Sequence, residues 1–256
     1  MIDVVLQGPY IDFTDEVIES YLNIKCIGKI IVSCWDKDKK QEYESDRVKF
    51  VRNDVYPSYP GVLNVNMQLI TSLNGVKASD AKYVMKMRSD QKVNHQGMIN
   101  MFNYFLDNKE KEKIYICGNI FTYLFHPRDH IFMGHKEDMI NLFDIPFEKN
   151  KTCQQIGVNR YNSSGYMHLF TRPETYIGAY YCSRFDSRVS EIVNDHARYL
   201  YDNSPEWKYS KQVSNEVMKK CFKSFPREGI DLIWPKNNIY TLPFDCTNEE
   251  WHEEGF

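Results

Sequence analysis

The chain of 256 residues has no Cys-x-x-Cys pair; its seven cysteines, at 26, 34, 117, 153, 182, 221 and 246, are scattered singly. That spacing supports neither a zinc ribbon nor a thioredoxin-like redox pair, and fits reduced, buried thiols inside a cell. Long apolar runs are absent too: none approaches the ~20 residues a membrane span needs. No secretory leader is expected, since Met1 is followed by an apolar strand, Ile2-Asp3-Val4-Val5-Leu6, rather than by a leader-like stretch. The expectation is a soluble, cytoplasmic protein with no transmembrane segment, open to peripheral association with a membrane. Charge of one sign is also lacking. The 32 Lys+Arg and 35 Asp+Glu leave a net −3, interspersed along the chain, which argues against a nucleic-acid partner. G-x-G-x-x-G, the G-x-x-x-x-G-K-[ST] loop, G-x-S-x-G and H-E-x-x-H do not occur. Their absence removes the easiest routes to dinucleotide oxidoreductases, P-loop NTPases, α/β-hydrolases and zinc proteases.

What is present is enough apolar residue, 42%, to fill a core, and a length that suits one domain over 1–256. The 18 Tyr, 15 Phe and 4 Trp carry apolar area with polar tips, useful in a core and against sugar rings or bases. A strand at 2–6 breaks at Gln7-Gly8-Pro9, and a helix capped by Thr14 follows with Val17, Ile18, Tyr21 and Leu22 as its stripe. Strands are expected at 29–35 and 48–52, separated by a solvated charged run, 36–47. A helix over 64–73, with Leu63, Met67, Ile70 and Leu73 on one face, should stop at Asn74-Gly75. Further on, the pattern predicts helices at 97–106, 135–143 and 187–201 and one opening at Pro173, with strands at 113–117 and 131–134. Beyond Pro226 only short extended pieces are expected. The order of strands and helices predicts an α/β fold with a mostly parallel central sheet covered by helices, and a less regular second half.

The stretch Tyr83-Val84-Met85-Lys86-Met87-Arg88-Ser89-Asp90-Gln91 reads as a buried strand that ends in a cation and a carboxylate, a common way to build a site at a sheet edge. In a parallel sheet the loops carrying Gln7, Gly8, Ser33, Trp35, Asn53, Asp54, Arg88 and Asp90 should gather on that edge. Carboxylates and amides at strand ends suit a reaction in which a charged leaving group is stabilised and a hydroxyl is deprotonated.

The ordered series Val4-Val5-Leu6-Gln7-Gly8-Pro9, Ile31-Val32-Ser33-Cys34-Trp35, Asn64-Val65-Asn66-Met67-Gln68 with Gly75, and Tyr83 to Asp90 resembles the WavE-type lipopolysaccharide-synthesis proteins. Asp129-His130-Ile131-Phe132-Met133-Gly134 and Pro173-Glu174-Thr175-Tyr176 are similar to later landmarks of that group. The resemblance runs in order over about residues 3–180. It implies a GT-A-like glycosyltransferase with a nucleotide-sugar-binding half, 1–117, and an irregular acceptor-side half, 118–256. It also implies a nucleotide-sugar donor and a surface-glycan acceptor.

Laid on residues, the resemblance puts Gln7, Gly8, Pro9, Ser33, Asn53, Asp54, Asn66, Gln68 and Arg88 at the donor. Met67 stands where an Arg often does. Asp90 takes the place of the last carboxylate of the metal-binding D-x-D and would hold Mn²⁺ or Mg²⁺. Arg88-Ser89-Asp90 lacks the first carboxylate, and Arg88 itself offers part of the missing positive charge. Asp129, with His130, would meet the acceptor. Glu174 would be the base of an inverting transfer, with Glu137-Asp138 the competing pair. Two rival classes stay open. One is a sugar nucleotidyltransferase, which wants a basic glycine-rich loop where Gln7-Gly8-Pro9-Tyr10 stands. The other is a degenerate transferase that binds nucleotide or glycan without turnover.

Overall fold

The computed structural model describes residues 1–38, 43, 45–117, 124–149, 172–195, 204–226 and 230–235. Their main body is a seven-stranded sheet in the order β3-β2-β1-β4-β7-β6-β8. The strands are β1 (Ile2–Gln7), β2 (Ile27–Trp35), β3 (Val48–Asn53), β4 (Tyr83–Arg88), β6 (Ile114–Ile116), β7 (Ile131–His135) and β8 (Phe222–Ser224). A two-stranded ribbon pairs β5 (Lys92–Val93) with β9 (Leu232–Ile233). Strands β3, β2, β1 and β4 run parallel, as the sequence pattern predicts. Strand β7 is antiparallel to both β4 and β6, so the mostly parallel sheet has one reversed member.

Register fixes the functional edge. Gln7 pairs with Ser33 and with Arg88, and Trp35 with Asn53, so the tips of four strands end together. Because β7 runs the other way, it starts at that edge, Ile131 opposite Met87, and delivers residues 126–130 there. It ends at the far edge, His135 opposite Tyr83.

Both sheet faces are buried, which is why the strands read as near-continuous apolar runs. Helices α1 (Asp12–Leu22) and α3 (His95–Asn108) cover one face. Val17, Ile18 and Tyr21, with Met98, Phe102 and Phe105, pack there on Val4, Leu6, Val32, Met85 and Met87. The other face meets α2 (Val65–Lys77), α4 (Lys136–Phe143), α5 (Pro173–Cys182), α6 (Ser187–Asn194) and α7 (Pro205–Cys221) over Val5, Ile31 and Val84.

Several local expectations need correction. Helix α1 begins at Asp12, two residues before the predicted cap. Thr14 sits inside it, its Oγ1 accepting from the Ile11 N–H at 3.1 Å and donating to the Ser89 carbonyl at 3.2 Å, so it ties the helix to the turn after β4. Helix α2 runs on to Lys77, through the predicted stop. Its inward residues are Val65, Leu69, Ser72 and Val76, while Leu63 is 67% exposed. Gly75 is there for closeness: a Cβ would lie 2.5 Å from Val5 Cγ1 and 2.9 Å from Ser33 Cβ. Arg47, expected in solvent, donates to the carbonyls of Leu22, Gly28 and Ile27 at 2.6, 3.1 and 2.8 Å and so closes the α1–β2 turn. Residues 39–42 and 44 of that run, and 196–201 of the predicted helix, lie outside the described residues. Helix α7 went unpredicted, although Ser204 caps it through its Oγ to the Trp207 N–H and Pro205 opens it.

Candidate functional site at the carboxyl edge of the sheet

Alternation along β4 sends Val84, Lys86 and Arg88 to one face, toward α2 and α5. Arg88, at the strand tip, closes on Asp90 with two hydrogen bonds, Nε to Oδ1 at 3.0 Å and Nη2 to Oδ2 at 3.1 Å. Its Nη1 lies 3.6 Å from Asp129 Oδ2. Gln68, from α2, donates to the same Asp129 oxygen at 3.2 Å. Below them Lys86, fully buried, donates to the Asp129 main-chain oxygen at 3.0 Å. Burial and then Lys86 and Arg88 act in opposite senses on the Asp129 carboxyl. The cations win and hold it below the usual carboxylate range.

Glu174 reaches this group from the first turn of α5, where Pro173 opens the helix and an acid suits its positive end. The helix can approach only because Gly178 has no side chain: a Cβ there would meet the Phe125 carbonyl oxygen at 2.1 Å. That contact seats α5 on the segment 125–127 and brings Glu174 Oε2 to 3.7 Å from His126 Nε2. Burial first, and the nearby Asp129 charge second, push the Glu174 carboxyl up to about 7. Burial pulls His126 and His130 down to about 4, so both are neutral at pH 7.

The ribbon β5–β9 supplies the last wall. It brings Trp234 over the ion pair, with Nε1 donating to Asp90 Oδ2 at 3.2 Å and the ring 5.2 Å from the Arg88 guanidinium carbon. His130 meets that indole edge-on at 5.7 Å, and the Gln91 side-chain amide lies 2.8 Å from His130 Nδ1.

Of the residues expected at the site, Arg88, Asp90, Gln68, Asp129, His130 and Glu174 come together. Gln7, Gly8, Pro9, Ser33, Asn53 and Asp54 share the edge, but most are engaged in the frame. Gln7 Nε2 donates to Thr71 Oγ1 at 2.9 Å, and Ser33 Oγ to the Thr71 carbonyl at 2.6 Å. Asn53 Nδ2 donates to the Cys34 carbonyl at 2.9 Å while its Oδ1 accepts from Asn74 at 2.8 Å. Gly8 takes a φ of +135°, with Ser89 Oγ 2.7 Å from where a Cβ would be, and Ser89 Oγ donates to the Pro9 carbonyl. Asp54 is exposed. Asn66 is buried in a backbone clamp, donating to the Tyr59 and Glu148 carbonyls and accepting the Glu148 N–H at 2.7 Å. Met67 is half-buried. Glu137 and Asp138 open α4, beyond the far end of β7, so they face the opposite edge and cannot compete with Glu174. Asp138 instead accepts the Glu112 N–H at 2.9 Å.

Four members of the cluster were not singled out as site residues: Lys86, Gln91, His126 and Trp234. Lys86 had a signal, a lysine between two methionines in a strand buried on both faces. His126 and Trp234 had none, since only the reversed strand and the ribbon bring them in.

A divalent ion at Asp90 does not fit the side chains present. Both carboxylate oxygens are taken by Arg88, and Oδ2 by Trp234 as well. Among the described residues no group of three or more His, Cys, Asp or Glu is placed to hold a metal ion. Nor, among them, is any helix long and apolar enough to cross a membrane.

No curated protein matches the sequence. Solved structures resemble it at low identity. S. aureus TarS 1–349 is 9% identical over 86% of this chain and 71% of its own, with a TM-score of 0.42. HddC from Yersinia pseudotuberculosis is 16% identical over 64% and 87%, with a TM-score of 0.38. A cytidylyltransferase from Leptospira borgpetersenii is 12% identical over 79% and 98%, with a TM-score of 0.37. The family model described as WavE lipopolysaccharide synthesis matches residues 2–251. That match runs nearly from end to end, and the chain belongs to the WavE lipopolysaccharide synthesis family.

Proposed function

We propose that the protein is a glycosyltransferase that moves a sugar from a nucleoside-diphosphate donor onto a hydroxyl of a lipopolysaccharide-type surface glycan. The observation that carries this reading is the pairing, in one cluster, of a forked cation at a strand tip with a carboxyl group tuned to about 7 at a helix start. The acceptor hydroxyl attacks the anomeric carbon. The bond from that carbon to the diphosphate oxygen breaks, and the diphosphate leaves with the electron pair. Glu174 takes the acceptor's proton, its tuned carboxyl being a base matched to neutral pH. One catalytic carboxylate on the acceptor side suits inversion at the anomeric carbon.

In this GT-A-like reading Arg88 turns its fork from Asp90 to the diphosphate, a geometry that suits paired phosphate oxygens. The exposed Asp54 and the turn Gln7-Gly8-Pro9 border the nucleotide, while Ser33, Asn53 and Asn66 keep that border in shape. Asp129 and Gln68 face the transferred sugar and the acceptor. The division of labour between 1–117 and 118–256 is one of binding, since the sheet draws strands from both. Thiols without a disulfide at 26, 117, 182 and 221 suit the reducing cytoplasm, where such donors are made.

The test is a panel of nucleotide-sugars, with and without lipopolysaccharide-derived acceptors, read as nucleoside diphosphate release and as product mass. Turnover that disappears in Arg88→Ala and Glu174→Gln supports the proposal. Pyrophosphate release from a nucleoside triphosphate and a sugar phosphate would replace it with nucleotidyl transfer. Tight nucleotide binding without turnover on any donor would leave a binding module.

A further inference from the structure

Lys86 stands in the middle of β4 with no part of it exposed. Its register partners are Val5 on β1 and Phe132 on β7, and its Nζ lies 5.5 Å over the Phe132 ring. An ammonium sealed in an apolar sheet face is costly unless neighbouring charges answer it. Those neighbours belong to the candidate site. Arg88 and Asp90 act on it from the end of β4, Asp129 and His130 from the segment before β7, and Glu174 from the start of α5; His126 acts in turn on Asp129, Arg128 on His126 and His130, and Arg172 on Glu174. Burial pulls the Lys86 ammonium down to about 8 against the pull of Asp129, so it is mostly charged at neutral pH.

We propose that Lys86 is a positioning residue for the transfer: it holds the 126–130 segment through the Asp129 carbonyl and balances the Asp129 carboxylate, so that Glu174 can release its proton. Of the charges in contact around Asp129, two cations, Lys86 and Arg88, stand against two carboxylates, Asp90 and Asp129, with Arg172 acting on Glu174 from the start of α5. The third carboxyl group, Glu174, carries the exchangeable proton. Without the ammonium, Asp129 is left with a guanidinium already engaged by Asp90, and Glu174 with the charge of Arg172. Two carboxyl groups so placed titrate as a pair, and the pair then keeps its proton to higher pH. This role rests on the reading of Glu174 as base only for its effect on turnover, and the charge coupling is measured without turnover.

Carbon-13 labelling of glutamate side chains, with Glu174→Gln assigning the resonance, reads the Glu174 titration directly. Lys86→Met is expected to move its midpoint up by about one pH unit, and Asp129→Asn is expected to move it down. Nitrogen-15 labelling of lysines should show the Lys86 midpoint falling in Asp129→Asn. Opposite movements of Glu174 in the two variants cannot come from loosened packing, which would bring both toward the ordinary glutamate range. An unmoved Glu174 midpoint in folded Lys86→Met overturns the proposal. If that variant does not fold, an unmoved Lys86 midpoint in Asp129→Asn overturns it, and a fallen one supports it. The acid limb of the pH–rate profile should follow the Glu174 midpoint. A moved midpoint with an unmoved limb would overturn Glu174 as the base while leaving Lys86 its charge coupling.

Discussion

Arg88 and Asp90 lie two residues apart across the end of β4, and their side chains meet in two parallel hydrogen bonds of 3.0 and 3.1 Å. The expected metal ligand is thus neutralised by its own neighbour. Trp234 covers the pair from the ribbon, donating to Asp90 and lying over the guanidinium. A phosphate entering the site has the same geometry to offer Arg88 as the carboxylate it would displace. On the proposed function, the pair would be the place of the donor diphosphate, held closed by an internal mimic of it.

Arg88→Lys should bind nucleoside diphosphates about 10- to 100-fold more weakly than wild type, because a point charge cannot make the two parallel bonds that a fork makes. Calorimetric titration with a panel of nucleoside diphosphates measures this. Equal affinity in Arg88→Lys would show that the diphosphate sits elsewhere.

Chelation should change little. Because the Arg88 fork, once turned to the diphosphate, supplies the positive charge itself, nucleoside diphosphate affinity in EDTA is expected to stay within about twofold of that in Mn²⁺ or Mg²⁺. The same titration with metal added back checks it. A gain of tenfold or more on adding Mn²⁺, lost in Asp90→Asn, would restore Asp90 as a metal ligand.

Much of this edge was legible because parallel strands obey simple rules. Apolar runs ending in Gln7, Trp35, Asn53 and Arg88 marked the strands, and parallel pairing then placed their ends together. The helix start that carries Glu174 was legible through Pro173. Helix α2 misled for a physical reason. Its inward face is partly Ser72, Gly75 and Thr71, small or polar residues that let it lie close on β1 and β2, so a search for large apolar residues chose the wrong stripe. His126 and Trp234 were invisible because their places depend on partners distant in the chain. Strand β7 had to run backwards, and Leu232–Ile233 had to pair with Lys92–Val93.

Gly178→Ala tests whether helix contact sets the position of Glu174. A Cβ would lie 2.1 Å from the Phe125 carbonyl oxygen and 2.6 Å from Pro127 Cδ, both on a segment with little room to yield. The variant should lose about 3 kcal/mol of stability, as overpacked sites do. It should also lose turnover beyond what that destabilisation explains at a temperature where it is folded. Urea denaturation and steady-state rates check both. Wild-type stability would mean that α5 sits farther from residues 125–127.

Glu174 also predicts how stability varies with pH. Its carboxyl is pushed up to about 7 in the folded protein against an ordinary 4.5. Between those values the folded state binds a proton that the unfolded chain has given up. Its contribution is therefore complete below about pH 4.5 and is lost as pH rises through about 7, in all about 3 kcal/mol. His126 and His130 act the other way. Burial pulls both down to about 4 from 6.5, so their contribution is present above 6.5 and is lost as pH falls through 4. The wild-type curve mixes the two trends, and the difference from Glu174→Gln isolates the carboxyl. Urea denaturation at steps from pH 4.5 to 8 should show wild type losing ground to Glu174→Gln across that window and the difference levelling off above it. A flat difference would mean that Glu174 is solvated and ordinary, and it would then be a poor base at neutral pH as well.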